Sequence, residues 1–141
     1  MKPSSADIQF HEDVRLLVWR PLGVLNEAVL EQIVTLIGDL EASSEIPFNR
    51  FTDTTGAEAI DLNFSYVFHA ALFRRLAYAG RPPVKSAIFV TSFTAAHYSK
   101  LYELLTRSSS IKVRIFEERE AAAKWLGVPV ELLIISPIGN E

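Results

Sequence analysis

Two aspartates, Asp53 and Asp61, lie in one short stretch, and the hydroxyl residues Thr54 and Thr55 follow the first. Paired carboxylates act as general acid and base when their surroundings separate their proton affinities. Asp61 equally suits the cap of a following helix, so the pair stays a minor candidate for a small hydrolase or isomerase. The histidines His11, His69 and His97 form no pair at metal-ligand spacing and read as structural. Cysteine is absent, which excludes thiol catalysis, disulfides and cysteine-ligated metal. There is no G-x-S-x-G elbow, no P-loop and no G-x-G-x-x-G. Asn63-Phe64-Ser65 has the form of a glycosylation acceptor, but the first residues lack the apolar stretch of a secretory signal, so the match carries no weight. The expectation is a chain without catalytic residues, metal or cofactor.

The polar residues that remain suit holding a ligand. Asp53, Thr54, Thr55, Asp61, Asn63, Thr91 and Ser92 fall where strands are expected to end and helices to begin. In open parallel sheets that edge gathers loops and helix N-termini, which favour anionic and polar ligands. A small polar or phosphate-bearing ligand held at the Asn63 and Ser92 helix starts is the expectation. The same residue types are also ordinary turn and cap residues.

These residues must be positioned by a chain of 141 residues, the length of one domain, here taken as residues 1–141. Hydrophobic residues at 49% and charged residues at 22% exclude a largely disordered chain. The net charge of -3 gives no general attraction to nucleic acid. It is unevenly spread: residues 1–70 hold 4 basic and 11 acidic side chains, residues 71–141 hold 10 and 6. Opposite-sign surfaces of that kind favour self-association, although helix faces alone can differ this way. Arg74, Arg75 and Arg81 suit the dipole at the end of a helix and are weak grounds for a nucleic-acid surface. No apolar run approaches the roughly 18 residues of a membrane span. A cytoplasmic protein with at most peripheral membrane contact is expected.

Ile8 to Glu12 alternates apolar and polar, and Val14 to Trp19 is a denser apolar run; together they predict an N-terminal hairpin ended by Pro21 and Gly23. Asn26 caps a helix running to about Ala42. Pro47 to Asp53 reads as a strand, with Gly56 in a loop. Asp61 or Asn63 caps a second helix that runs to Ala79 and stops at Gly80. Val84 to Thr91 is a central strand, and Ser92 caps a third helix ending near Arg107. Ile111, Val113 and Ile115 alternate with Lys112 and Arg114, as in a strand near an edge. Glu117 to Leu126 is a fourth helix, and Val130 to Ile135 is ambiguous between a helical turn and a strand. Alternation of this kind implies an α/β domain with a mostly parallel sheet, an antiparallel N-terminal strand and about four helices.

The second helix is unusual. At about 100° per residue, Phe64, Val67, Phe68, Ala71 and Leu72 form one apolar face, and Tyr66, Ala70, Phe73 and Ala77 form another nearly opposite. A surface helix needs one. The second face needs a cover: the chain's own tail (Val130 to Ile138), another subunit, or lipid.

The element order resembles the STAS domain (sulfate transporter and anti-sigma-factor antagonist), and within it the bacterial SpoIIAA-like subfamily, which is related to the lipid-binding CRAL-TRIO or SEC14-like fold. The residues that carry the resemblance are Leu16-Leu17-Val18-Trp19, Asp53-Thr54-Thr55-Gly56, Val113-Arg114-Ile115-Phe116 and Ala122-Ala123-Lys124-Trp125-Leu126-Gly127, over roughly Ile8 to Gly127. The resemblance implies a single STAS-like domain acting as a non-enzymatic binding or regulatory module for a protein partner or small ligand. Its SEC14-like side implies an alternative, a carrier of an apolar or lipid ligand at the membrane periphery, with the second helix as gate. In the anti-sigma-antagonist branch a phosphorylated serine follows an aspartate placed like Asp61. Here Leu62 and Asn63 follow, and Ser65 is displaced, so the phosphoserine switch is not carried over.

Overall fold

The computed structural model describes residues 6–44 and 46–135. Strands β1 (Ala6–His11) and β2 (Leu16–Pro21) pair antiparallel. The hairpin turn holds Val14 exposed and Arg15 at φ 51°, so the apolar run joins the strand only at Leu16. There follow β3 (Gly23–Asn26), α1 (Glu27–Ser43), β4 (Asn49–Asp53), a 3₁₀ turn (Thr54–Gly56), β5 (Ala57–Asp61), α2 (Phe64–Ala77), β6 (Val84–Phe89), α3 (Phe93–Leu105), β7 (Ile111–Phe116), α4 (Arg119–Leu126) and a 3₁₀ turn over Val130–Leu133. The main sheet has the order β1-β2-β4-β6-β7, parallel from β2 onward. The expected mostly parallel sheet, antiparallel first strand and four helices are all present. The hairpin joins beside β4, and β7 lies at the far edge, where its exposed Lys112 and Arg114 are tolerated.

The alternation of each strand separates two interiors. Leu16, Val18, Phe51, Ala87, Phe89 and Phe116 pack on Ala122, Ala123, Leu126 and Leu133, from α4 and the last 3₁₀ turn. Leu17, Trp19 and Phe48 pack on Val29 and Ile33 of α1, and Ile88 and Val90 pack on Ala95 of α3. The chain is thus layered, with α1 to α3 on one face of the sheet and α4 on the other. Gly127 closes α4 at φ 75°, a left-handed cap natural to glycine. Val130 to Leu133 packs on the α4 side, where the His11 ring bonds the Leu132 carbonyl at 3.1 Å. The tail through Ile135 therefore does not cover α2; Ser136 to Ile138 lie outside the described residues.

Two short strands were not expected. β3 and β5 form a separate parallel pair, in a segment expected to be turn and loop. Ala57-Glu58-Ala59-Ile60-Asp61 carries little strand propensity. What places it is the tight turn before it: a Cβ on Gly56 would meet the Pro21 carbonyl oxygen at 2.6 Å. Asp61 ends β5, and Asn63 is the residue that caps α2.

Gly56→Ala is expected to destabilise the protein by about 1–3 kcal/mol, the usual cost of overpacking. Gly38→Ala, in the body of α1 with open space around the added methyl, is expected to stabilise by about 0.5–1 kcal/mol. Urea unfolding of both variants checks the opposite signs.

Candidate functional site

The strand-end residues expected to hold a polar ligand are found at three places. Asp53 is buried and accepts hydrogen bonds from the Thr55 amide at 2.9 Å, the Thr55 hydroxyl at 2.6 Å and Arg119 at 3.0 Å. The Thr54 hydroxyl donates to the Phe89 carbonyl at 2.7 Å. This cluster latches the end of β4 to β6 and α4. Asn63 caps α2 by accepting from the Tyr66 amide at 2.7 Å and donates to Glu27 at 3.1 Å. Ser92 caps α3 by accepting from the Ala95 amide at 3.1 Å, with Thr91 exposed beside it. The parallel strands advance in one direction across the sheet, without the reversal of order that opens a ligand crevice in doubly wound folds.

The larger feature lies under the helices. Phe51 sends its neighbours Arg50 and Thr52 to the α1–α3 face, and in register beside them are Ser86 and Ile88 of β6. α2 brings Val67 and Ala70 over this floor. Short and polar side chains on the two central strands, under small ones on the helix, leave a cavity of about 150 Å³. Its walls are Trp19 of β2, Leu25 of β3, Leu30, Ile33, Val34 and Ile37 of α1, Ile60 of β5, and Ala95, Tyr98, Ser99 and Tyr102 of α3. Close-packed interiors hold few voids above the size of a water molecule; this one matches a cavity able to take a benzene ring. The Trp19 indole N–H donates to the Thr52 hydroxyl at 2.7 Å, which satisfies both polar groups at the wall.

One end of the cavity is charged. Arg50 and Arg74 line it, and both donate to the same oxygen of Glu41, Arg74 at 2.7 Å. All three side chains are buried. Burial pushes the Arg50 guanidinium down from its ordinary range, and Glu41 opposes that shift. The Arg50 guanidinium also lies over the rings of Phe48 and Tyr78. Burial likewise raises the Tyr102 hydroxyl, and the nearby Arg74 and Arg50 charges oppose that shift.

This cluster corrects the expectation for α2. Its inward line is Val67, Ala71 and Arg74, so Arg74 is a buried partner of Glu41 and not a solvated dipole charge. Arg75 donates to the Leu105 carbonyl at 3.3 Å and Arg81 to the Glu41 carbonyl at 3.2 Å. Phe64, Phe68 and Leu72, expected in the core, are exposed, Phe64 at 59%. Tyr66, Ala70 and Phe73 instead border an open groove against Glu31, Val34 and Thr35 of α1. The Tyr66 hydroxyl donates to the Glu27 carbonyl at 3.3 Å, Phe73 remains 59% exposed, and Ala77 is exposed. Val34 and Ala70 line both groove and cavity, so they form the partition between them.

Among the described residues, no group of three or more His, Cys, Asp or Glu is arranged to hold a metal ion. Among them, too, no helix is long and apolar enough to cross a membrane.

One sheet covered by three crossover helices, with a fourth behind, is a SpoIIAA-like α/β fold. In particular, the chain is similar to an uncharacterized protein of the DUF3478 family from Shewanella loihica PV-4, a crystal structure with a SpoIIAA-like fold. The TM-score is 0.57 at 18% identity, over 86% of this chain and 91% of that one. At this identity the likeness defines the fold. No protein-family model matches the chain, and no curated protein matches it.

Removing the shared carboxylate leaves two buried guanidiniums unpaired. Glu41→Ala is expected to cost about 3–5 kcal/mol. Lys100→Ala, which breaks an exposed pair with Glu103, is expected to change stability by less than about 1 kcal/mol. Chemical denaturation of the two variants separates the buried cluster from a surface contact.

Proposed function

We propose that this chain is a non-enzymatic binding module whose ligand is a small apolar molecule held between the sheet and α1–α3. The observation that carries the reading is the 150 Å³ cavity with its mainly apolar wall. Water meets that mainly apolar wall with few hydrogen-bonding partners, so an apolar body that displaces it is favoured. Burial of a body the size of a benzene ring supplies the binding free energy. The reading shares with the SEC14-like alternative an apolar ligand and α2 as gate, with Val34 and Ala70 as the thin point of entry.

A second reading, self-association through the outer face of α2, is favoured by Phe64, Phe68, Leu72 and Leu76. They recur every four residues along that helix and are all exposed, Leu76 at 69%. A symmetric dimer would bury the same face of both copies.

Trp19 lines the cavity and Trp125 packs on the opposite side of the sheet. In a Trp125→Phe variant, bromobenzene is expected to quench Trp19 fluorescence saturably, and Ala70→Leu is expected to weaken that quenching. Purely collisional quenching, linear to the solubility limit, overturns the cavity reading. Sedimentation over a dilution series tests the second: the expected outcome is a dimer that dissociates on dilution and is lost in Phe68→Glu. A monomer throughout removes it.

A further inference from the structure

We infer that the ligand is a carboxylate: an apolar body of about six to eight carbon atoms whose head group meets Arg50 and Arg74. This rests on the reading of the cavity as a ligand site and adds the chemical class. The cavity wall contains two guanidiniums and no aspartate or glutamate. Glu41, the carboxylate that pairs with them, does not line this cavity and borders a separate small cleft, shared with Arg50, Ser44, Tyr78 and Arg81. The cluster of two arginines and one glutamate carries one net positive charge, and Arg50, Arg74 and Glu41 are 4%, 4% and 7% exposed. An uncompensated buried charge is strongly unfavourable. The Arg50 Nε is buried and has no hydrogen-bond partner. Each guanidinium offers five N–H donors in a planar fork, and Glu41 engages one terminal nitrogen of each, at a single oxygen.

A carboxylate on the cavity side supplies what the cluster lacks. It brings the local charge to zero and presents two acceptor oxygens in the plane that a guanidinium fork favours. A dianionic phosphate would reverse the charge. An amine would add a third cation to the same wall. An alcohol would fill the apolar space while leaving the charge unbalanced. At that end of the cavity Arg50 comes from β4, Arg74 from α2 and Tyr102 from α3, with Glu41 of α1 behind the two guanidiniums.

The test is a calorimetric titration of the purified full chain with octanoate, 1-octanol and octylamine, three probes with the same tail. Octanoate is expected to bind at least about tenfold more tightly than octanol, with octylamine weakest. Equal affinity for octanoate and octanol overturns the carboxylate inference and leaves the cavity reading standing. Binding of none of the three overturns both. Arg74→Gln retains a charge-balanced Arg50–Glu41 pair and is expected to fold, and its ratio of octanoate to octanol affinity should fall at least about tenfold; an unchanged ratio overturns the inference. A parallel measurement needs no variant. In the wild-type chain the Arg50 and Arg74 Nε–Hε resonances are expected to shift with octanoate and to stay in place with octanol; resonances unmoved by octanoate overturn the inference.

Discussion

A single carboxylate shared by two guanidiniums determines where three elements stand. Glu41 belongs to the last turns of α1, Arg50 to β4 and Arg74 to the end of α2. Their geometry is set by charge, because moving any one away leaves a buried ion unpaired. An apolar contact at this position would tolerate sliding; this contact does not. The arrangement therefore rotates α2 so that Arg74 faces inward, and that rotation turns Phe64, Phe68 and Leu72 out to solvent. The exposed aromatic edge and the buried arginine are two consequences of one constraint.

The same constraint bears on the cavity. β4 places Arg50 and Thr52 on the face beneath α2, and β6 places Ser86 beside Arg50. Large apolar side chains at those positions would fill the space and leave the guanidiniums no room. α2 is consequently held at its two ends: by Arg74 on Glu41 at one, and by Asn63 and Tyr66 on Glu27 at the other. Between these anchors, Val67 and Ala70 line the cavity, and Ala71 beside them is fully buried.

Much of the fold is legible in the residues. The period-two runs of β1 and β7, the apolar stretches of β2 and β6, and the caps Asn26 and Ser92 are local signals, and local physics decides them. The strands β3 and β5 were not legible, because Ala57 to Asp61 has no strand signal of its own and is placed by the close approach of Gly56 to Pro21. The faces of α2 were misassigned for a related reason. Helical periodicity treats arginine as a surface residue, and the burial of Arg74 depends on a carboxylate from a distant helix. A signal for it exists in Arg50-Phe51-Thr52: a polar pair flanking a buried phenylalanine in a central strand implies that one face of the sheet meets something other than a plain apolar helix. The residues expected at the strand ends, Asp53, Thr54 and Thr55, are found together, bonded to one another, to Arg119 and to the Phe89 backbone.

The two sides of the sheet differ in how completely they are packed. On the α4 side, Phe51, Phe89, Phe116 and Leu133 close on one another around small alanines, and the Asp53 latch ties α4 across the strand ends. That side has the composition of a packed interior. On the other side the interior is incomplete, charged at one end and partitioned from an open groove by Val34 and Ala70. A fold in which both sides were loosely filled would lack the cooperativity to hold two buried arginines in place. One in which both were fully packed would have no such void. Placing the dense core behind the strands lets the helical face keep a void, because the sheet that forms its floor is held rigid from the far side.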